Sequence, residues 1–140
     1  MTPSIQSART SNSAGRTFVC YWLPVVALCT VIFIQSAYPP PEQIPRWPHI
    51  DKMLHLFVYG ILGLLVCRAL NTIGWLKANR RRLLVLAVVL TSLYGLSDEW
   101  HQSFVPDRDA STADFLADFI GAFAGSAAAM ALSARFRLFR

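Results

Sequence analysis

Ionisable side chains gather in one part of this chain, residues 97–125, where they alternate with strongly apolar sequence. The segment holds six of the eight acidic residues, together with two basic or imidazole side chains and an amide: Asp98, Glu99, Asp107, Asp109, Asp114 and Asp118, with His101, Arg108 and Gln102. Charged groups beside apolar runs are costly in lipid and therefore indicate function. Carboxylates, histidine and arginine together could bind an amphiphile, transfer protons or hold a metal ion.

Spacings of four residues place many of these groups on single helix faces. Three such stripes are present: Asp51, His55 and Tyr59; Tyr94, Asp98 and Gln102; and Asp114 and Asp118, which lead into Gly121 and Gly125. Polar stripes on apolar helices should face one another and avoid lipid, so the sequence predicts a polar pocket at one end of a helix bundle. The two glycines let a neighbouring helix approach closely, which would support that pocket.

Three kinds of chemistry fit these residues. In the first, Lys52 and Arg108, with Arg46, hold a phosphate or carboxylate of an amphiphilic ligand, and neighbouring acids accept its hydroxyl or amine donors. In the second, Asp98 or Glu99 is a general acid or base. The proton relay would then be His55 or His101.

The third chemistry is a divalent-metal site built from histidine and carboxylate side chains. The contributing residues would be His55, His101, Asp98, Glu99 and Asp118. None of their spacings matches a recognised motif, such as two histidines one turn apart around a glutamate. We therefore expect no metal and no cofactor. Polar contacts that serve the architecture alone, such as exposed ion pairs and helix caps, are the remaining alternative.

Four long apolar runs must position these groups. Hydrophobic residues make up 54% of the 140-residue chain and charged residues 15%, against about 25% charged residues in an ordinary soluble domain. The runs predict an all-α polytopic membrane protein, a bundle of four transmembrane helices at about residues 18–38, 50–69, 83–104 and 112–134. Ser111 and Asp114 have the spacing of a capping box for the last helix. Residues 1–16 are polar and predict a disordered cytoplasmic tail before a transmembrane domain at 17–140.

The distribution of charge predicts the orientation of the bundle. Placing both termini in the cytoplasm puts ten of the thirteen lysines and arginines on that side and all eight acids on the other, as the positive-inside rule requires. The net charge of +5 is thus explained by topology. No nucleic-acid motif accompanies it, so a nucleic-acid partner is not expected. The three cysteines lie in apolar runs and are interpreted as buried, unpaired residues.

These residues and their order resemble the VanZ-like family of small bacterial membrane proteins. The resemblance covers about residues 45–130 and rests on four motifs. They are Asp51-Lys52-x-x-His55-x-x-x-Tyr59, Asp98-Glu99-x-x-Gln102-x-Phe104-x-Pro106-x-Arg108, Ser111-x-x-Asp114 and Gly121-x-x-x-Gly125. It implies a multi-pass protein of the bacterial cytoplasmic (inner) membrane and a link to low-level resistance to teicoplanin, a lipid-tailed glycopeptide. Two positions depart from the family pattern: Asp118 stands where asparagine is frequent, and Asp107 stands where glycine commonly precedes the arginine.

The sequence therefore predicts a VanZ-like protein whose outer-leaflet pocket binds or handles an amphiphilic envelope component, either a membrane lipid, a lipid-linked precursor or a lipoglycopeptide. The predicted ligand-binding residues are Asp51, Lys52, His55, Tyr59, Asp98, Glu99, Gln102, Arg108, Asp114 and Asp118. One alternative is a membrane enzyme that modifies a lipid-linked substrate by carboxylate acid-base chemistry, with Asp98, Glu99 and His55 as its catalytic candidates. Another is an assembly partner of a second envelope protein, which it would contact through its glycine-lined helix.

Overall fold

The computed structural model describes residues 15–39, 50–106, 108 and 110–136. Its helices are a π-helical turn, Phe18–Trp22, followed by α1 (Leu23–Ser36), α2 (Ile50–Leu70), the single-turn α3 (Gly74–Lys77), α4 (Arg80–Gln102) and α5 (Thr112–Phe136). These ranges contain no strand. The predicted all-α fold is therefore confirmed.

Four of the helices are long and apolar enough to span a membrane: Gly15–Ser36, Ile50–Leu70, Arg80–Gln102 and Thr112–Arg135. They pack together, which confirms the predicted four-helix bundle. Many large apolar side chains point outward, including Phe57, Leu93 and Phe123, each more than half exposed. Such a surface suits lipid, where a water-soluble protein would carry polar groups. Most of the predicted tail, residues 1–14, lies outside the described residues.

Side-chain caps fix where α4 and α5 begin. The Asn79 side chain accepts a hydrogen bond from the Arg82 amide at 3.0 Å, which satisfies one free donor at the start of α4. The Ser111 hydroxyl accepts from the Ala113 amide at 3.1 Å at the start of α5. The predicted capping box between Ser111 and Asp114 does not form, because the Ser111 hydroxyl bonds the Ala113 amide and the Ser111 amide donates to Glu99 Oε2 at 2.9 Å from another helix. Asp114 is thereby left to pair with Lys52.

The closest helix pair is α2 with α5, which meet along a surface that we call the glycine seam (Gly60, Gly63, Gly121, Ala122 and Gly125). A Cβ atom on Gly125 would collide with the Gly60 carbonyl, and one on Gly121 would collide with the Leu56 carbonyl. The two backbones therefore touch directly, which a larger side chain would prevent. Ser126, fully buried one position beyond Gly125, donates to the Gly63 carbonyl at 3.1 Å and adds a polar link across the seam.

The first spanning helix lies at the edge of the bundle. In its most apolar stretch 6% of the residues are buried within the chain, against 33–44% for the other three spans. Hydrogen bonds nevertheless tie its C-terminal end to Gln102, at the end of α4, and to Arg108, in the loop that follows. This end of the bundle, where α1 and α4 finish and α2 and α5 start, is called the polar end below.

Candidate functional site

A chain of ion pairs joins α2 to α5 at the polar end. Lys52 Nζ donates to Asp51 Oδ2 at 2.8 Å and to Asp114 Oδ1 at 3.0 Å. Asp51 is on the surface, with its side chain 55% exposed, whereas the Asp114 side chain is buried. Lys52 therefore compensates the charge of a buried carboxylate, and its ammonium stands at the boundary between the bundle and its surroundings.

One turn deeper, α2, α4 and α5 bring three ionisable groups together. His55 Nδ1 lies 2.9 Å from Asp118 Oδ1 and 3.7 Å from Glu99 Oε1. Asp118 is 0% exposed and Glu99 is 6% exposed. Because an ionised carboxylate can only accept, a charged Asp118 requires the proton to sit on Nδ1 of the imidazole. We call these three residues the His55 cluster.

A second buried group of polar residues lies between α2 and α4 and reaches α1. Asp98 Oδ2 accepts from the Tyr59 hydroxyl at 3.1 Å and from Gln102 Nε2 at 2.9 Å. Gln102 Nε2 also lies 3.4 Å from Ser36 Oγ on α1. The predicted stripes of α2 and α4 thus face each other here. The Tyr59 hydroxyl and the Gln102 amide are donors that can stabilise the buried Asp98 carboxylate.

Arg108 connects the loop after α4 to the end of α1. Its Nη2 donates to the Gln35 carbonyl at 2.8 Å, and its Nε donates to the Tyr38 carbonyl at 2.9 Å. Its Nη1 lies 3.4 Å from Gln102 Oε1. The last carbonyls of a helix have no partner within that helix, and a guanidinium satisfies them well. The predicted anion-binding arginine therefore uses several of its five donors on the chain itself.

Some predicted residues lie apart from these groups. Asp51 is exposed and reaches the others through Lys52. His101, predicted as a proton relay, stacks on Phe33 of α1 with ring centroids 4.7 Å apart. Arg46, Asp107 and Asp109 lie outside the described residues.

Sequence reasoning missed two residues that shape the site. Gly95 makes room for its neighbours, since a Cβ there would lie 2.9 Å from Asp118 Oδ2 and 3.1 Å from the Tyr59 ring. Its signal was a single glycine in an apolar helix, one turn before Glu99. Ser36 had no signal, because a serine near a helix end is common and its contact with Gln102 is long-range.

The polar end carries an excess of negative charge. Five carboxylates belong to its described residues, namely Asp51, Asp98, Glu99, Asp114 and Asp118, and two cations do, Lys52 and Arg108. Two buried carboxylate oxygens, Glu99 Oε1 and Asp118 Oδ2, have no hydrogen-bond partner among these residues. A buried oxygen without a donor is costly, so the arrangement can accept a proton, a ligand donor or a cation.

Comparison with known proteins assigns the chain to a family. No curated protein matches the chain, and no solved structure does. The profile of the VanZ/LLP1 family, however, matches residues 1–133, nearly the whole sequence. That match includes all four motifs from which the resemblance was inferred. The chain is therefore a membrane protein of the VanZ/LLP1 family.

Proposed function

We propose that the polar end binds the headgroup of an amphiphilic envelope component in the outer leaflet of a bacterial inner membrane. The observation that carries this proposal is the convergence of ionisable groups from three apolar helices on one buried site. Isolated charges at such positions are costly, and proteins keep them mainly for substrate, ion or proton handling.

The charge distribution supports the orientation. Apart from Lys52 and Arg108, the cations of the described residues lie toward the opposite end of the bundle: Arg16, Arg68, Lys77, Arg80, Arg81, Arg82 and Arg135. The positive-inside rule assigns that end to the cytoplasm. The polar end then opens to the outer leaflet, where lipid-linked precursors and lipid-tailed antibiotics would meet it.

The contacts of the polar end favour a particular kind of headgroup. Lys52 and Arg108 lie at its rim and are partly exposed, so an anionic group of the ligand can approach them. The deeper groups, Glu99 and Asp118, present oxygens that have no hydrogen-bond partner among the described residues, and these oxygens would accept hydrogen bonds from hydroxyls or amines. A sugar-containing headgroup with both an anionic group and such donors fits this arrangement.

The family link to teicoplanin resistance provides a test. The protein would be expressed in a glycopeptide-susceptible Gram-positive host, and the inhibitory concentrations of teicoplanin and vancomycin would be compared. We expect the wild type to raise the teicoplanin threshold selectively, Asp98→Asn and Arg108→Ala to abolish the rise at matched membrane abundance, and Glu99→Gln to lower it only in part. Lys77→Ala removes an exposed cation at the opposite end and should leave it intact. Equal thresholds for both drugs, or resistance that survives all three variants, would contradict the proposal.

A second function, acid-base catalysis on a lipid-linked substrate, is favoured by one observation. Glu99 Oε1 is buried, unpaired within the described residues and 3.7 Å from the His55 imidazole, an arrangement from which a proton could be taken or given. The two functions differ in their response to Glu99→Gln, which keeps the shape of the side chain. A binding protein should retain partial function, whereas an acid-base enzyme should lose nearly all turnover.

The assembly alternative depended on the glycine-lined face of the last helix. In the structure Gly121 and Gly125 pack against α2 of the same chain. That face is therefore covered within the monomer, and we do not propose it as a partner surface.

A further inference from the structure

The His55 cluster has the composition and spacing of a metal-ligand set. One atom from each of His55, Glu99 and Asp118 can be chosen so that all three lie within 4.8 Å of one another. The residues come from α2, α4 and α5, so no local spacing in the sequence could reveal them. Their position, one turn inside the bundle, shields them from competing water and from surface ion pairs.

Glu99 is held in an orientation suited to coordination. Its Oε2 accepts the Ser111 amide at 2.9 Å, which fixes the carboxylate plane. Its Oε1 then faces the imidazole and has no hydrogen-bond partner among the residues that the structure describes. The Glu99 side chain is 8% exposed, so solvent gives this oxygen little compensation. An unpaired and oriented oxygen of this kind is what a cation would satisfy.

Within residues 50–106, 108 and 110–136, the two cations of the polar end, Lys52 and Arg108, are directed to partners outside the cluster. The nearest ammonium, Lys52, is already shared between Asp51 and Asp114. Arg108 is directed to carbonyl groups at the end of α1. Glu99 and Asp118 thus share the single imidazole of His55. When both carboxylates are ionised, one imidazolium cannot compensate their two negative charges.

We propose that the His55 cluster binds one divalent transition-metal ion of the Zn²⁺ or Mn²⁺ class, through His55 Nδ1, Glu99 Oε1 and a carboxylate oxygen of Asp118. Ligand atoms of a tetrahedral zinc site lie ~3.3 Å apart when the bonds are ~2.0–2.1 Å. The present separations from Nδ1, 2.9 Å to Asp118 and 3.7 Å to Glu99, bracket that value. One imidazole nitrogen with two carboxylates suits Zn²⁺ and Mn²⁺ better than Ca²⁺ or Mg²⁺, which prefer oxygen ligands alone.

The surroundings of the cluster accommodate His55 and Asp118 as they do Glu99. Tyr59 stacks parallel to the His55 ring, with centroids 6.2 Å apart and an interplanar angle of 3°. Gly95 leaves space for the Asp118 carboxylate. Since coordination needs the lone pair of Nδ1, binding of the ion displaces any proton shared there with Asp118, and that proton leaves to solvent. The three protein ligands leave further coordination positions for a ligand headgroup or water.

Direct metal binding tests this proposal without any knowledge of the amphiphile. The full-length chain, purified in detergent without a polyhistidine tag, would be stripped with a chelator and titrated calorimetrically with Zn²⁺, Mn²⁺, Mg²⁺ and Ca²⁺. Elemental analysis after desalting would give the stoichiometry. We expect one Zn²⁺ or Mn²⁺ per chain, weaker binding of Mg²⁺ and Ca²⁺, and proton release when the ion binds.

Isosteric variants distinguish metal binding at the His55 cluster from metal binding at adventitious sites. Glu99→Gln and Asp118→Asn keep the volume of each side chain, and each should weaken binding by at least about 100-fold, more than the loss of a second-sphere contact. His55→Gln should do the same. His101→Gln removes another histidine at the polar end and should bind like the wild type.

Thermal unfolding keeps the test valid if a variant folds poorly. A bound ion stabilises the folded state by RT ln(1 + [ion]/Kd) and so raises the melting temperature. At a Zn²⁺ concentration well below the Kd of the variant, the wild type and His101→Gln should shift and Glu99→Gln should not. Absence of stoichiometric binding by the wild type would overturn the proposal. Equal affinity in Glu99→Gln would also do so. Neither result bears on headgroup binding, which the susceptibility assay tests separately.

Discussion

The glycine seam and the attachment of α1 show two ways of joining helices in one small bundle. Across the seam, α2 and α5 approach so closely that Gly121 and Gly125 meet backbone atoms directly. By contrast, α1 is attached through side chains, with Val25 and Ile32 in the apolar core. It is also held by polar contacts, such as the Tyr94 hydroxyl to the Cys29 carbonyl at 2.6 Å and Arg108 to the Gln35 carbonyl at 2.8 Å. Packing of backbones is rigid, whereas single hydrogen bonds in a membrane are individually weak.

Some residues of the polar end lie on the closely packed helices of the glycine seam, and others contact α1. His55 and Asp118 sit on the two helices of the seam, so their separation is fixed by backbone contact. Asp98, Gln102 and Arg108 instead reach toward α1, directly or through one another. A small bundle can in this way keep one part of its site rigid while another part yields. Substitutions in the seam should therefore cost more stability than substitutions that act on α1.

Gly125→Ala should cause the greatest loss of stability. Its new methyl group would meet the Gly60 carbonyl, which belongs to a helix backbone and cannot move aside. We expect the free energy of unfolding to fall by about 3 kcal/mol, at the upper end of the usual cost of overpacking. Gly60→Ala is the matched control, because its Cβ would lie 3.7 Å from the Gly121 carbonyl, an ordinary contact. Denaturant titration in mixed micelles measures both, and equal losses would refute a rigid seam.

Arg108→Ala should loosen the end of α1 while the seam stays intact. The carbonyls of Gln35, in the last turn of α1, and of Tyr38, two residues after the helix, lose their guanidinium donor, at a cost of about 2 kcal/mol for hydrogen bonds to a charged group. Amide hydrogen exchange at Ala37 should accelerate at least several-fold. Exchange in α5 should be unchanged.

Arg80→Ala supplies the matched comparison for that experiment. It removes a similar bond, from Arg80 Nη2 to the Met130 carbonyl at 2.6 Å, at the other end of the bundle. Exchange at Ala37 should therefore be insensitive to it. A similar acceleration by both variants would mean that α1 responds to global stability and not to its own anchor.

A double-mutant cycle should detect the hydrogen bond between Tyr59 and Asp98. Tyr59→Phe and Asp98→Asn are expected to couple by about 0.6 kcal/mol, the average for interhelical hydrogen bonds in a membrane protein. Tyr94→Phe with Asp98→Asn should show less coupling, since the Tyr94 hydroxyl donates to Cys29 instead. Unfolding in micelles gives all the required free energies. A larger coupling through Tyr94 would disprove the hydrogen-bond pattern described here.

Asp51→Asn should have the smallest effect, at most about 0.5 kcal/mol, because exposed ion pairs contribute little. Asp114 shares the same lysine but is buried. Asp114→Asn should therefore cost more than Asp51→Asn in the same assay, and added salt should weaken the effect of Asp51→Asn alone. If both variants lowered the free energy of unfolding equally, burial of Asp114 would not make its ion pair with Lys52 stronger than that of Asp51.

The sequence was sufficient for the fold class because four apolar runs of spanning length leave few other structures. It also grouped residues correctly along single helices, as in the stripe that carries His55 and Tyr59. It could not say which stripes would meet, since helical periodicity defines a face but not its neighbour. The pairing of Asp118 with His55 and of Asp98 with Tyr59 therefore could not be predicted from the sequence.

Local motifs were also reassigned by long-range contacts. The Ser111 amide, expected to bond within its own capping box, donates to Glu99. Arg108, expected to serve a ligand, serves the carbonyls at the end of α1. Every helix ends in carbonyls that have no partner within it. The sequence therefore cannot show which donor will satisfy them, here a loop arginine that only the fold brings to the end of α1.

Arg108 can donate either to the carbonyls at the end of α1 or to an anion of the proposed ligand, and these two uses compete. An anion that drew its guanidinium away from Gln35 and Tyr38 would release the end of the helix that leads back to the N-terminal tail. By reciprocity, whatever free energy the anchor contributes is subtracted from the affinity of the competing anion. Anion binding at the polar end would then be coupled to the order of the last turn of α1.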